Sequence, residues 1–99
     1  MQYRRAFVAG GKYFFTVNLL ERDKSLFTDH IDLLKTAFCR VKLTHPFDID
    51  AIVVLPDHLH TIWTLPENDA DFATRWRLIK SHFSRGLPST ELINNSRKQ

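Results

Sequence analysis

His58 and His60 stand one residue apart in Leu55-Pro56-Asp57-His58-Leu59-His60-Thr61-Ile62-Trp63-Thr64, at the start of an apolar run. In a β-strand successive side chains alternate faces, so both imidazoles point one way and Leu59 the other. Two strand rises separate their Cα atoms by roughly 6.5–7 Å. Two neutral imidazoles at that spacing can converge on one divalent cation or one phosphate. The same pattern suits ordinary half-buried strand histidines, and the spacing alone does not decide between the two. Asp57 reads first as a turn residue and second as a carboxylate that orients a neighbouring imidazole.

A second group has the charge for phosphate contacts. Arg75, Arg77, Lys80 and Arg85 crowd one short helix, and Arg4, Arg5 and Lys12 flank a Gly10-Gly11 turn. The competing readings are a solvated helix face and a frayed terminus. Trp76 could stack on a base, but it falls on the apolar stripe of its helix and belongs to the core. Asp48 and Asp50 share a strand face, polar-out. His30, His45 and His82 have no ligand spacing among themselves, and Cys39, beside an apolar stripe, reads as a small core or boundary residue. No P-loop, Gly-rich dinucleotide turn or Ser-His-Asp set is visible.

The elements that must position these residues follow from periodicity. Lys12 to Leu20 is aromatic and β-branched, a strand with Tyr13, Phe15, Val17 and Leu19 on one face. Leu26, Phe27, Ile31, Leu34, Ala37, Phe38 and Val41 recur at helical spacing, a single helix capped by Ser25 or Thr28 and ending before Pro46. Phe47 to Leu55 is a second strand whose apolar second half predicts burial on both sides. A short Pro56-Asp57 link, slightly longer than a two-residue turn, leads antiparallel into a third strand from His58 to Leu65. Asn68 caps a second helix with Phe72, Trp76, Ile79 and Phe83 on its buried stripe, closed by Gly86 and Pro88. The result is an α+β chain, β-α-β-β-α, over residues 1–88, followed by a polar tail at 89–99. It is most of the ferredoxin-like pattern, an antiparallel sheet with both helices on one face, lacking its last strand.

The totals leave room for one domain: 99 residues, 43% hydrophobic, with a net charge of +3 that permits an anionic partner without requiring one. A lone cysteine excludes a disulfide framework and a Cys zinc site, and suits a reducing cytoplasm. No apolar run approaches a membrane span, and no signal-peptide core follows the first residues.

Taken together, the motifs resemble the IS200-like (Y1) transposase domain of the HUH endonuclease superfamily, in its subgroup of REP-associated tyrosine transposases. The resemblance rests on Leu55-Pro56-Asp57-His58-Leu59-His60; on Tyr3-Arg4-Arg5 with Gly10-Gly11 and Tyr13-Phe14-Phe15-Thr16-Val17; on Pro46-Phe47 with Ile49-Asp50-Ala51; and on Ile62-Trp63-Thr64-Leu65-Pro66, Arg75-Trp76-Arg77-Leu78-Ile79-Lys80 and Phe83-Ser84-Arg85. It covers roughly residues 3–97. It implies a ferredoxin-like core in which His58 and His60 hold Mg²⁺ or Mn²⁺. The metal polarises a phosphate of single-stranded or hairpin DNA, a REP-like palindrome, for attack by a tyrosine. Arg4, Arg5, Arg75, Arg77, Lys80 and Arg85 are then the expected DNA-binding residues.

The chain departs from the pattern in one respect. The family's nucleophile, together with a further polar metal ligand, lies on a helix after the His motif, whereas the only tyrosines here are Tyr3 and Tyr13. The expectation is therefore a C-terminally truncated domain without catalytic residue, inactive alone. The alternatives are a non-catalytic DNA-binding remnant and a fragment that dimerises through the sheet edge left open by the missing strand.

Overall fold

A computed structural model describes residues 2–8, 11–20 and 24–88 of the chain. The expected tail at 89–99 and most of the charged connector at 21–24 lie outside the described residues. The elements are β1 (Gln2–Val8), β2 (Lys12–Asn18), α1 (Leu26–Asp29), α2 (Ile31–Thr44), β3 (Asp48–Val54), β4 (His58–Thr64) and α3 (Phe72–Gly86). The strands form one antiparallel sheet in the order β1-β2-β4-β3.

The α+β architecture with helices on one face is as expected, with one addition. Residues 2–8 form a strand of their own, paired along β2 from Gln2↔Asn18 to Val8↔Lys12. In the ferredoxin-like order the final strand lies beside the first, which here is β2. Strand β1 takes that place from the other end of the chain, so the edge of β2 expected to be open is paired. Tyr3-Arg4-Arg5 alternates too weakly in hydropathy to announce a strand, and the local hairpin supplies the pairing instead. Gly11 has φ +78, the left-handed conformation that a tight reversal needs and glycine adopts without steric cost.

The core lies between the sheet and the helices. Phe15, Val17 and Leu19 of β2 and its continuation alternate inward with Leu59 and Trp63 of β4 and Leu65 just after it. They meet Leu34, Ala37, Phe38 and Val41 of α2 and Trp76, Ile79 and Phe83 of α3. Trp63 and Trp76 stack at 4.5 Å with 23° between their planes, and Phe15 and Phe47 pack on Trp63 at 4.6 and 4.4 Å. Truncating one such aromatic to alanine costs about 3–5 kcal/mol. Thr61, the polar residue on this face, is 1% exposed, and its hydroxyl donates to the Ala51 carbonyl beside a β-bulge at Asp50.

Several local expectations are corrected. The first helix breaks at His30 (φ −120, ψ 42) into α1 and α2. No side-chain cap bond forms at Ser25. Asn68 does not cap α3; it sits at φ 64 in a turn, and Asp71 is the cap, its carboxylate accepting from the Thr74 amide at 3.1 Å. Strand β3 is not buried on both sides. It is a sheet edge, with Ile52 41% and Val53 57% exposed, because nothing among the described residues covers its outer side. Cys39 is exposed, one step off the buried stripe.

Candidate metal and nucleic-acid site

The sheet has two faces, and the His pair lies on the one without helices. Leu59, Thr61 and Trp63 point into the core, so alternation sends His58, His60, Ile62 and Thr64 to the opposite side, where all four are half-buried. The turn before β4 is anchored by the backbone. Leu19 donates its amide to the Asp57 carbonyl (2.9 Å), Phe27 to the Pro56 carbonyl (3.2 Å) and Leu55 to the His58 carbonyl (2.8 Å). Three elements thus hold the position from which the His strand starts.

Each imidazole is oriented through Nδ1. Nδ1 of His58 lies 2.8 Å from the Asp57 carboxylate and donates to it, so Asp57 serves the turn and the ring at once. Nδ1 of His60 lies 3.1 Å from the hydroxyl of Thr16, its directly paired neighbour on β2. Phe14 stacks on the His60 ring at 5.8 Å, and the two imidazole centroids are 5.3 Å apart, edge to face. With both Nδ1 atoms engaged, Nε2 is the ring nitrogen left to each histidine for a cation. Hydrogen bonds of this kind fix the tautomer and ring direction of metal-ligating histidines. Among the described residues no group of three metal-ligating side chains comes together. The pair offers two ring nitrogens on one face, enough for two coordination positions.

The basic residues separate into distinct places. Arg4 is exposed on the His face, in the cross-strand row Arg4–Thr16–His60. Arg5 points to the other face, its guanidinium 4.9 Å from the Phe72 ring centre. Arg77 and Lys80, both exposed on α3, flank a small pocket with Tyr3. Arg85, also exposed, lies at the far end of α3.

Arg75 belongs with none of these. It is 2% exposed, and its donors go to the carbonyls of His45 (3.2 Å), Pro46 (2.8 Å) and Asp71 (3.0 Å) and to both oxygens of Asp69 (3.2 and 2.9 Å). The expected phosphate contact at Arg75 is replaced by a structural one: its side chain ties α3 to the α2–β3 connection at His45 and Pro46. The hydrogen bond from Arg75 holds the Asp69 carboxyl down at about 2.

Both tyrosines lie on the helix side of the sheet. Tyr3 packs on Trp76 (5.6 Å) and Phe15 (5.9 Å), and Tyr13 on Phe72 (5.3 Å) and Phe15 (6.2 Å). The sheet stands between them and the histidines.

Thr16 enters the site only through the fold, as the hydroxyl beside His60. The signal was present, since Phe15 and Val17 inward force Thr16 outward, but its register against His60 is a tertiary fact.

The chain is an α+β domain, an antiparallel sheet with helices on one face and a His-Leu-His strand turned to the other. No protein-family model matches the chain. It is 52% identical over 83 residues to the REP-associated tyrosine transposase of Escherichia coli (strain K12), covering 84% of this chain and 50% of the relative. It is 45% identical over 86 residues to a putative REP-associated tyrosine transposase of Haemophilus influenzae (strain ATCC 51907 / DSM 11121 / KW20 / Rd), covering 87% and 49%. Among solved structures, that of a REP-associated tyrosine transposase bound to a REP hairpin superposes with a TM-score of 0.75 at 50% identity, over 86% of this chain and 52% of that one. The chain belongs to the REP-associated tyrosine transposase family, and it spans about half the length of the curated relatives it matches. Among the described residues no helix is long and apolar enough to cross a membrane.

Proposed function

We propose that this chain binds hairpin or single-stranded DNA of the REP type and carries two of the ligands for the divalent cation, Mg²⁺ or Mn²⁺, that serves strand cleavage. The observation that carries the reading is the pair His58 and His60 on the open sheet face, each fixed through Nδ1, with Arg4 in the same row. The family match and the hairpin-bound structural relative support it. His58 and His60 would hold the cation, and the cation would supply Lewis-acid polarisation of a phosphodiester. The chain's own residues orient the two rings and attract the phosphate backbone through Arg4 on the same face. Tyr3 and Tyr13 are on the wrong face to act as nucleophile, so the 99-residue chain forms no phosphotyrosine adduct.

The test is hairpin binding by fluorescence anisotropy, with and without Mn²⁺, alongside a Mn²⁺ titration followed by electron paramagnetic resonance. Wild type binds the hairpin, and the double variant His58→Ala, His60→Ala loses the metal signal. With about four phosphate contacts from Arg4, Arg5, Arg77 and Lys80, the slope of log affinity against log salt is about −3 to −4. A slope near zero would sink the DNA reading. A metal signal that survives the double variant would sink the metal reading. A second reading, DNA binding without a metal, draws on the absence of a third ligand among the described residues. It requires hairpin affinity indifferent to chelator and to both His substitutions.

A further inference from the structure

Asn18 stands opposite His58 in the β2–β4 register, as Thr16 stands opposite His60. Phe15, Val17 and Leu19 are buried beneath the helices, so alternation turns Thr16 and Asn18 to the face that carries the two imidazoles. Directly opposed residues of an antiparallel pair have Cβ atoms about 4.5–5.5 Å apart, which puts the Asn18 carboxamide and the His58 ring side by side above the sheet. The two β2 residues differ in their commitments. The Thr16 hydroxyl meets Nδ1 of His60 at 3.1 Å. His58 takes its own Nδ1 partner from Asp57, at 2.8 Å, and asks nothing of the strand across from it. Among the described residues no hydrogen bond engages the Asn18 side chain, which is half-buried on this face. On the other flank β3 sets Val53 against His60, a side chain with no donor atom. No third imidazole, thiolate or carboxylate joins the pair among the described residues, but a carboxamide does.

We propose that Asn18 is a third side-chain ligand of the cation held by His58 and His60, through its carboxamide oxygen, and that it sets which metal the site prefers; the inference rests on the metal-binding reading above. Two imidazoles alone suit Zn²⁺, Ni²⁺ or Cu²⁺ better than Mg²⁺ or Mn²⁺, which favour oxygen. A carboxamide supplies a hard oxygen donor, of the kind that harder cations take from Asn and Gln. Being neutral, it leaves the charge of the cation undiminished for a phosphate oxygen. The role belongs to Asn18 rather than Thr16, because the Thr16 hydroxyl is already spent on orienting His60.

The test uses the whole 99-residue chain without DNA. Mn²⁺ affinity is measured by electron paramagnetic resonance and Zn²⁺ affinity by competition with a chromophoric chelator. The variants are Asn18→Ala, Asn18→Asp and Asn18→His, each checked for a wild-type circular dichroism spectrum. Asn18→Ala should weaken Mn²⁺ binding about tenfold and leave Zn²⁺ binding nearly unchanged. Asn18→Asp should tighten Mn²⁺ binding about tenfold, since it keeps the oxygen and adds charge. Asn18→His should add a third coordinated nitrogen to the electron spin-echo modulation of bound Mn²⁺. If Asn18 only held the His58 ring by donating to it, Asn18→Asp would weaken Mn²⁺ binding and Asn18→His would add no third nitrogen; that pair of results overturns the proposal. Mn²⁺ affinity within twofold of wild type in Asn18→Ala also overturns it, and leaves the metal reading of the histidines standing. Failure of wild type to bind Mn²⁺ at all overturns both.

Discussion

Replacing Asp69 by alanine is the most informative single perturbation of this fold, because it leaves Arg75 buried without its counter-charge. Arg75 is 2% exposed and keeps three backbone carbonyls, which satisfy hydrogen bonds but not the charge. Removing one partner of a buried ion pair costs about 3–5 kcal/mol. The Asp69 side chain is 32% exposed, so water reaches the vacated position and screening brings the cost below that range, to about 2–3 kcal/mol. The hydrogen bond from the Asp71 amide to Asp69 is lost as well. For a domain this size the cost corresponds to a fall in Tm of about 10–15 °C. Thermal unfolding by circular dichroism measures it. Asp69→Asn, which keeps an acceptor, should fall between. In the Asp69→Ala background, Arg75→Met should recover part of the loss, since it removes the unpaired charge. The pH dependence has a definite direction. The folded carboxyl sits at about 2 against an ordinary 3.8, so its contribution is complete above pH 4 and is lost as the pH falls toward 2. Asp69→Ala should therefore lose less stability than wild type across that window. A Tm within about 3 °C of wild type, together with further destabilisation from Arg75→Met, would refute the assignment of Arg75 as a charge-paired staple.

Two further outcomes are expected. Thr16→Val keeps the shape and strand preference of the residue but leaves Nδ1 of His60 without its partner; Mn²⁺ affinity should fall about 10–100-fold by titration, while hairpin affinity in chelator is unchanged. Gly86→Ala places a Cβ into the side chain of Leu33, so it should destabilise by about 1 kcal/mol in denaturant unfolding. In a Leu33→Ala background the same change should become stabilising, a double-mutant coupling that reads the α2–α3 contact.

What could be read from residue types alone divides along physical lines. The core stripes of the helices and the inward faces of β2 and β4 were legible, because burial imposes a period and Phe15, Val17, Trp63, Trp76 and Phe83 obey it. So were the shared face of His58 and His60 and the core position of Trp76. Strand β1 was not, because an edge strand buries one side only and its residues carry a weak alternation. The exposure of Val53 escaped for the opposite reason: an apolar run looks buried on both faces until the sheet order puts it at an edge. Arg75 misled because charge usually marks a surface, and the three carbonyls and the carboxylate that enclose it come from separate stretches of chain. Thr16 as the partner of His60 needed the β2–β4 register, which joins residues 44 apart.

The pairing of a local strand with a distant one also bears on how the chain comes off the ribosome. β1 and β2 emerge before β4 and can form a hairpin at once, but a lone two-stranded hairpin is at best marginally stable in water. Its neighbour β4 pairs across separations of 44 residues at Thr16–His60 and 52 at Lys12–Thr64. At about 5–20 residues per second, that strand follows some two to ten seconds later. Throughout the interval Phe15 and Val17, fully covered in the finished domain, face water on a nascent chain. The β1–β2 hairpin thus exposes to water during synthesis side chains that the finished domain covers completely.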